Sequence, residues 1–118
     1  MNRYIYWMVW GFLFPGIMLA QENAVPQKPH NLRAMTHLEG AVGVVELSWR
    51  DGSNNETGFE ILRSENGKEF KVAKMIGANT SHYVDKIGKY LIGSFAYKVR
   101  AFNEKGRSQS SNTVSVLF

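Results

Sequence analysis

The densest run of chemically capable side chains in this sequence is DGSNNETG at residues 51–58, with two carboxylates, two amides, two hydroxyls and no apolar residue. Such a run offers oxygen acceptors to a cation or a glycan. Asp51 and Glu56 are only two carboxylates, however, short of the dense oxygen-ligand spacing of a calcium loop. The same residue types have a conformational use. Asp, Asn and Ser bond their own backbone and shape turns, which makes the run a connector between two strands. A second polar turn, Asn-Glu-Lys-Gly, stands at residues 103–106. The candidate contact residues are therefore Asp51, Asn54, Asn55 and Glu56 in the first loop and Asn103, Glu104 and Lys105 in the second.

No other cluster promises catalysis. His30, His37 and His82 fall on different segments, without a second histidine or a carboxylate at ligand spacing, so no metal site is expected. With no cysteine, thiolate chemistry and disulfides are excluded. No Ser-His-Asp order and no close pair of acids with a pocket is apparent, and no catalytic residue or cofactor is assigned. Asn55-Glu56-Thr57 and Asn79-Thr80-Ser81 match the glycosylation tripeptide, which has meaning only in a eukaryotic secretory path.

Compartment is read from the first twenty residues. Arg3 supplies an early charge, residues 4–20 carry none, and Ala20 ends the stretch. This is the layout of a secretory signal peptide over 1–20, predicting a secreted or periplasmic protein. The alternative is an uncleaved anchor through residues 4–20, the one route by which a membrane would be a partner. That stretch is at the short limit for a span, and Pro15-Gly16 interrupts it. Residues 21–28 read as a lead-in, and residues 29–118 as one domain, large enough to fold without staples. The net charge of +4 is spread along the chain, unlike the clustered excess of a nucleic-acid binder.

From residue 29 onward the hydrophobic period is two. Leu32 and Ala34, then Val45, Leu47 and Trp49, then Phe59 and Ile61, and finally Phe95, Tyr97, Val99 and Ala101 alternate with mostly polar neighbours. Segment 70–76, a short strand 81–85 anchored by Tyr83, and Val114 with Val116 complete seven strands. Turn signals separate them, the sharpest being Asn66-Gly67. The fold class is all-β: a seven-stranded antiparallel sandwich, immunoglobulin-like. The predicted core is Leu32, Val45, Leu47, Trp49, Phe59, Ile61, Ile76, Tyr83, Phe95, Tyr97, Val99, Ala101 and Val114. Val44, Glu46, Ser48, Glu60 and Leu62 are expected on the wet faces.

Several pieces in order resemble a fibronectin type III domain over about residues 26–118. They are Pro29-His30-Asn31-Leu32-Arg33-Ala34, Val45-Glu46-Leu47-Ser48-Trp49, the Gly58-Phe59-Glu60-Ile61 strand, Tyr97-Lys98-Val99-Arg100-Ala101-Phe102-Asn103 followed by Gly106, and Ser111-Asn112-Thr113-Val114-Ser115-Val116. Two departures stand out. Phe95 replaces the tyrosine of the family's corner motif, predicting a looser corner. The usual Leu-x-Pro before it is missing, and Ile87 or Leu91 is expected to fill the leucine's socket. Tyr90-Leu91-Ile92 is expected to tuck under the sandwich, the alternative being an exposed contact patch. The spelling of residues 51–59 is similar to repeats that accompany secreted bacterial hydrolases and adhesins.

The resemblance implies a non-catalytic exported module that binds a protein or a cell-surface or extracellular polymer. The alternative is a structural spacer, or an orphaned repeat of a larger secreted enzyme or adhesin. A small enzyme is the third reading. Contact is expected through the loops or through a sheet edge, and Lys68, Lys71 and Lys74 would discourage strand addition at the edge that carries them.

Overall fold

The computed structural model of the chain describes residues 24–89 and 92–118. The expectations for residues 1–20, and for Tyr90 and Leu91, lie outside that set. Eight strand segments follow one another: β1 (His30–Glu39), β2 (Val42–Arg50), β3 (Gly58–Glu65), β4 (Lys71–Gly77), β5 (His82–Lys89), β6 (Ser94–Asn103), β7 (Gly106–Arg107) and β8 (Val114–Leu117). They form two antiparallel sheets. One is ordered β1-β2-β5; the other is β4-β3-β6-β7, with β8 also on β6.

The count of eight reconciles with seven because the closing strand is interrupted. β7 pairs with Phe102 and Asn103, and β8 with residues 94–97, along the same edge of β6. Between them serine hydroxyls stand in for the ladder. Ser108 Oγ accepts the Ala101 N–H at 2.9 Å and Ser111 Oγ accepts that of Val99 at 3.0 Å. The Ser108 and Ser111 N–H groups return bonds to the Ala101 and Val99 carbonyls. Buried backbone groups must be paired, and these four are. Asn112 then ties this segment to β1, its amide exchanging two bonds with the Leu32 backbone.

The inner faces meet as the alternation demands. Val45, Leu47, Phe59, Ile61, Phe95, Tyr97, Val99 and Ala101 are fully buried, and Leu32, Trp49 and Ile87 nearly so. Ile76, Tyr83 and Val114 pack against this core while remaining partly exposed. Trp49 and Phe59 face each other across the two sheets, ring centroids 5.8 Å apart. The β3–β4 hairpin turns where expected. Asn66 and Gly67 both adopt positive φ, and the Lys68 N–H reaches the Glu65 carbonyl at 3.1 Å.

Three side chains assigned to wet faces are buried instead: Val44, Glu60 and Leu62. Long neighbours cover them. Val44 lies between His37 and Lys86 in the register, and Glu39 reaches across β2 to Lys86 at 3.1 Å. Leu62 lies opposite Lys98, whose ammonium sits 4.3 Å above the Phe70 ring, so the lysine stem covers the leucine. Glu60 is roofed by two arginines.

Around the corner, Ile87 is 8% exposed and belongs to the core cluster. Ile92 does not tuck under the sandwich as expected; it is 76% exposed. Gly93 and Phe118 exchange two backbone bonds, and the Phe118 ring packs edge-on against Phe95 at 6.3 Å. The Phe95 ring thus has an aromatic partner at this end of the core.

Gly58 marks the tightest approach in the five-stranded sheet. A Cβ there would stand 2.3 Å from the Ile76 carbonyl oxygen and 3.1 Å from the Phe102 ring. Backbone oxygen cannot swing aside as a side-chain tip can. Gly58→Ala is expected to lower stability by about 1–3 kcal/mol, the usual range for overpacking. A thermal melt checks this, and an unchanged midpoint would refute the crowding argument.

Candidate functional site

The two polar loops named from sequence converge at one end of the sandwich. Residues 51–57 leave β2 in the three-stranded sheet and enter β3 in the five-stranded one. Residues 103–105 join β6 to β7 at the same end. Asn103 Nδ2 donates to the Asn55 carbonyl at 3.2 Å, and the Thr57 N–H reaches the Phe102 carbonyl at 2.8 Å.

The lead-in chain completes this end. Ala24 O accepts from both Asn55 Nδ2 and Asn103 Nδ2, each at 3.0 Å. Pro26 and Pro29 are buried, anchoring the extended segment between them. Gly52 permits the close approach: a Cβ there would meet the Lys28 carbonyl oxygen at 2.5 Å. Between lead-in and loop lies a cleft of about 310 Å³ lined by Ala24, Val25, Gln27 and residues 51–55.

Within the first loop the acids serve the fold. Asp51 Oδ1 accepts the Ser53 N–H at 3.0 Å, a local turn of the kind Asp favours. Glu56 is 8% exposed and ties the loop to the β4–β5 turn, accepting the Asn79 N–H at 2.9 Å and the Ser53 hydroxyl at 2.9 Å. Burial raises the Asp51 carboxyl, and the neighbouring Glu56 raises it further. Burial pushes Glu56 the same way, but the Asn79 N–H and its other donors outweigh it and hold it below the usual range. In the second loop, Asn103 Oδ1 accepts the Lys105 N–H at 2.8 Å. Asn54, Glu104 and Lys105 are exposed at the tips.

A depressed folded-state pKa gives stability that is complete above the unfolded value, about 4.3 for Glu, and lost as pH falls through the folded value. Glu56→Gln should therefore cost about 1 kcal/mol at neutral pH and shallow the acid limb of the stability curve. Urea titrations between neutral and acidic pH test this; parallel acid limbs would contradict it.

Two ionic groups centred on buried carboxylates escaped the sequence reading. Asp85 on β5 accepts Arg63 Nη1 at 2.8 Å and the Tyr97 hydroxyl at 2.6 Å, bridging the sheets. Glu60 holds Arg100 and Arg107 on the outer face. Only the strand register could have revealed either. Among the described residues, no three His, Cys, Asp or Glu gather as for a metal ion. No described helix is long and apolar enough to cross a membrane.

Sheet order, interrupted closing strand and loop end define an immunoglobulin-like β-sandwich. No protein-family model and no curated protein matches the sequence. Solved structures do match. The FN1–FN3 domains of chicken CNTN1 share 20% identity at a TM-score of 0.65, over 80% of this chain and 32% of that one. An Fn3-like protein from Clostridium thermocellum shares 17% at 0.60, over 78% and 92%. A β-1,2-glucanase from Parabacteroides distasonis shares 22% at 0.63, over 80% of this chain but 12% of the enzyme. Against titin domains A168–A170 the match likewise spans 32% of the longer chain. The fold of this protein is that of the fibronectin type III domain.

Proposed function

We propose that the chain is a non-catalytic, exported interaction module whose contact surface is the loop end. The supporting observation is the convergence of residues 51–55, residues 103–105 and the lead-in on the Ala24 carbonyl. Three separate segments held to one another form a preorganised surface, and preorganisation lowers the entropic cost of binding. The exposed tips Asn54, Glu104 and Lys105 are polar, and the cleft beside them is polar-lined. These features suit a protein or a cell-surface polymer. Export rests on the pattern of residues 1–20. The spelling of the first loop supports a bacterial source.

One observation favours the spacer as a second reading. The lead-in joins at the loop end, whereas Phe118 lies by Gly43 and Gly93 at the opposite end. A lead-in and a closing strand at opposite poles of the sandwich suit serial connection, and the structural matches in titin and the glucanase are parts of longer chains.

The readings separate by surface plasmon resonance of the purified protein against extracellular polysaccharides and surface proteins of the host. The module reading expects saturable binding that weakens roughly tenfold on replacing Asn54 and Lys105 together by alanine. Flat responses throughout would leave the spacer. The intact mass of the exported form reports cleavage after Ala20.

A further inference from the structure

The outer face of the five-stranded sheet carries a second, separate feature. Glu60 points away from the core yet is 3% exposed. Its Oε1 accepts Arg100 Nε on β6 at 2.6 Å and Arg107 Nε on β7 at 3.0 Å. Both arginines engage through Nε to the same oxygen. The Arg107 side chain is 59% exposed and that of Arg100 27%, so both guanidiniums are reached from solvent. One buried carboxylate therefore holds two guanidiniums side by side and leaves the cluster one charge positive. Lys98 precedes Arg100 on the same face and adds a further cation.

Apolar groups flank the pair. Met75 stands directly opposite Glu60 and is 56% exposed. Phe102 follows Arg100 on the outer face, pairs with Arg107 and is half-buried. Arg, Met and aromatic residues are the types enriched where proteins touch, and arginine forks match carboxylates bidentately. The adjoining β4 edge carries Lys71 and Lys74 and a bulge opposite Ile61 and Leu62, which blocks strand addition there. Contact is therefore directed to the face.

We propose that this face, centred on Arg100 and Arg107, docks an acidic segment of a partner protein, with carboxylates on the two guanidiniums and a neighbouring apolar side chain on Met75 and Phe102. A sulfated glycan would satisfy the charges but would have no use for Met75, which is why the observations favour a protein segment. The surface differs from the loop end, so either can fail without the other.

The test is fluorescence anisotropy with a labelled peptide of glutamates interspersed with leucines, alongside a leucine-free polyglutamate and a sulfated polysaccharide. The expected result is saturable, salt-weakened binding that prefers the leucine-bearing peptide. Arg107→Gln should weaken it roughly tenfold, the scale of a charge-assisted hydrogen bond, and Arg107→Lys less. Arg107 is the safer position because Arg100 still neutralises Glu60 in that variant. Met75→Ser should abolish the preference for leucine. Asn54→Ala, at the loop end, should change nothing. Circular dichroism confirms that each variant is folded. Absence of binding, equal binding by native protein and Arg107→Gln, or tight binding of the polysaccharide alone would each overturn the proposal. So would self-association through this face seen in sedimentation.

Discussion

Asp85→Ala is expected to destabilise the domain by about 3 kcal/mol, because it strips two donors of their shared acceptor. Asp85 is 6% exposed and lies on the three-stranded sheet, while Arg63 and Tyr97 lie on the other. Burial raises the Tyr97 phenol far above its ordinary value, and its bond to the carboxylate raises it further, so the hydroxyl stays a neutral donor. Burial pulls Arg63 the other way, but Asp85 outweighs it and keeps the guanidinium charged. With the carboxylate gone, the Tyr97 hydroxyl is left dry in the core. Arg63 keeps the Glu65 carboxylate, at 3.1 Å, as a charged partner. That remaining partner is why the expected loss sits at the low end for a broken buried pair. Tyr97→Phe removes one neutral donor and should cost about 1 kcal/mol. Asp85→Asn, which keeps an acceptor but no charge, should fall between the two. At about 4–8 °C per kcal/mol for a domain of this size, Asp85→Ala should melt well below native. A loss no larger than that of Tyr97→Phe would mean that Arg63 is satisfied elsewhere.

Phe59→Ala should cost about 3–5 kcal/mol, the larger of the two effects. Phe59 is fully buried on β3, between β4 and β6, and packs across the sheets onto Trp49. Its removal loses transfer energy, leaves a cavity and dissolves an aromatic pair worth about 0.5–1.5 kcal/mol. Sandwich cores relax poorly, since each sheet is held rigid by its ladder. A domain with about 5–15 kcal/mol in hand would be left marginal. Phe59→Leu fills much of the volume and should cost far less. Denaturant titration followed by circular dichroism measures both. Near-native stability of the alanine variant would show that the two sheets are not joined through this contact.

Much of the candidate site was legible as composition but not as geometry. The loops at 51–58 and 103–106 announce themselves by their Asp, Asn, Gly and Lys content. That Asn55 and Asn103 would meet on one carbonyl of the lead-in depends on three segments far apart in the chain. Glu56 illustrates the limit. By type it belongs to a polar contact loop; by position it caps the Asn79 turn from inside.

The fold class is written in the order of residue types along the chain. Val45, Leu47 and Trp49, and Phe95, Tyr97, Val99 and Ala101, alternate because successive strand side chains point to opposite faces, and Asn66-Gly67 turns because those residues tolerate positive φ. These preferences are local, so adjacent letters carry them. Which charges meet emerges only when the strands are packed together. Asp85 finds Arg63 and Tyr97, Glu60 finds Arg100 and Arg107, and Val44 and Leu62 lie sheltered on faces meant for water. Each of these depends on the register between strands. Register is set by the whole set of packed pairs at once, and no short stretch of chain encodes it.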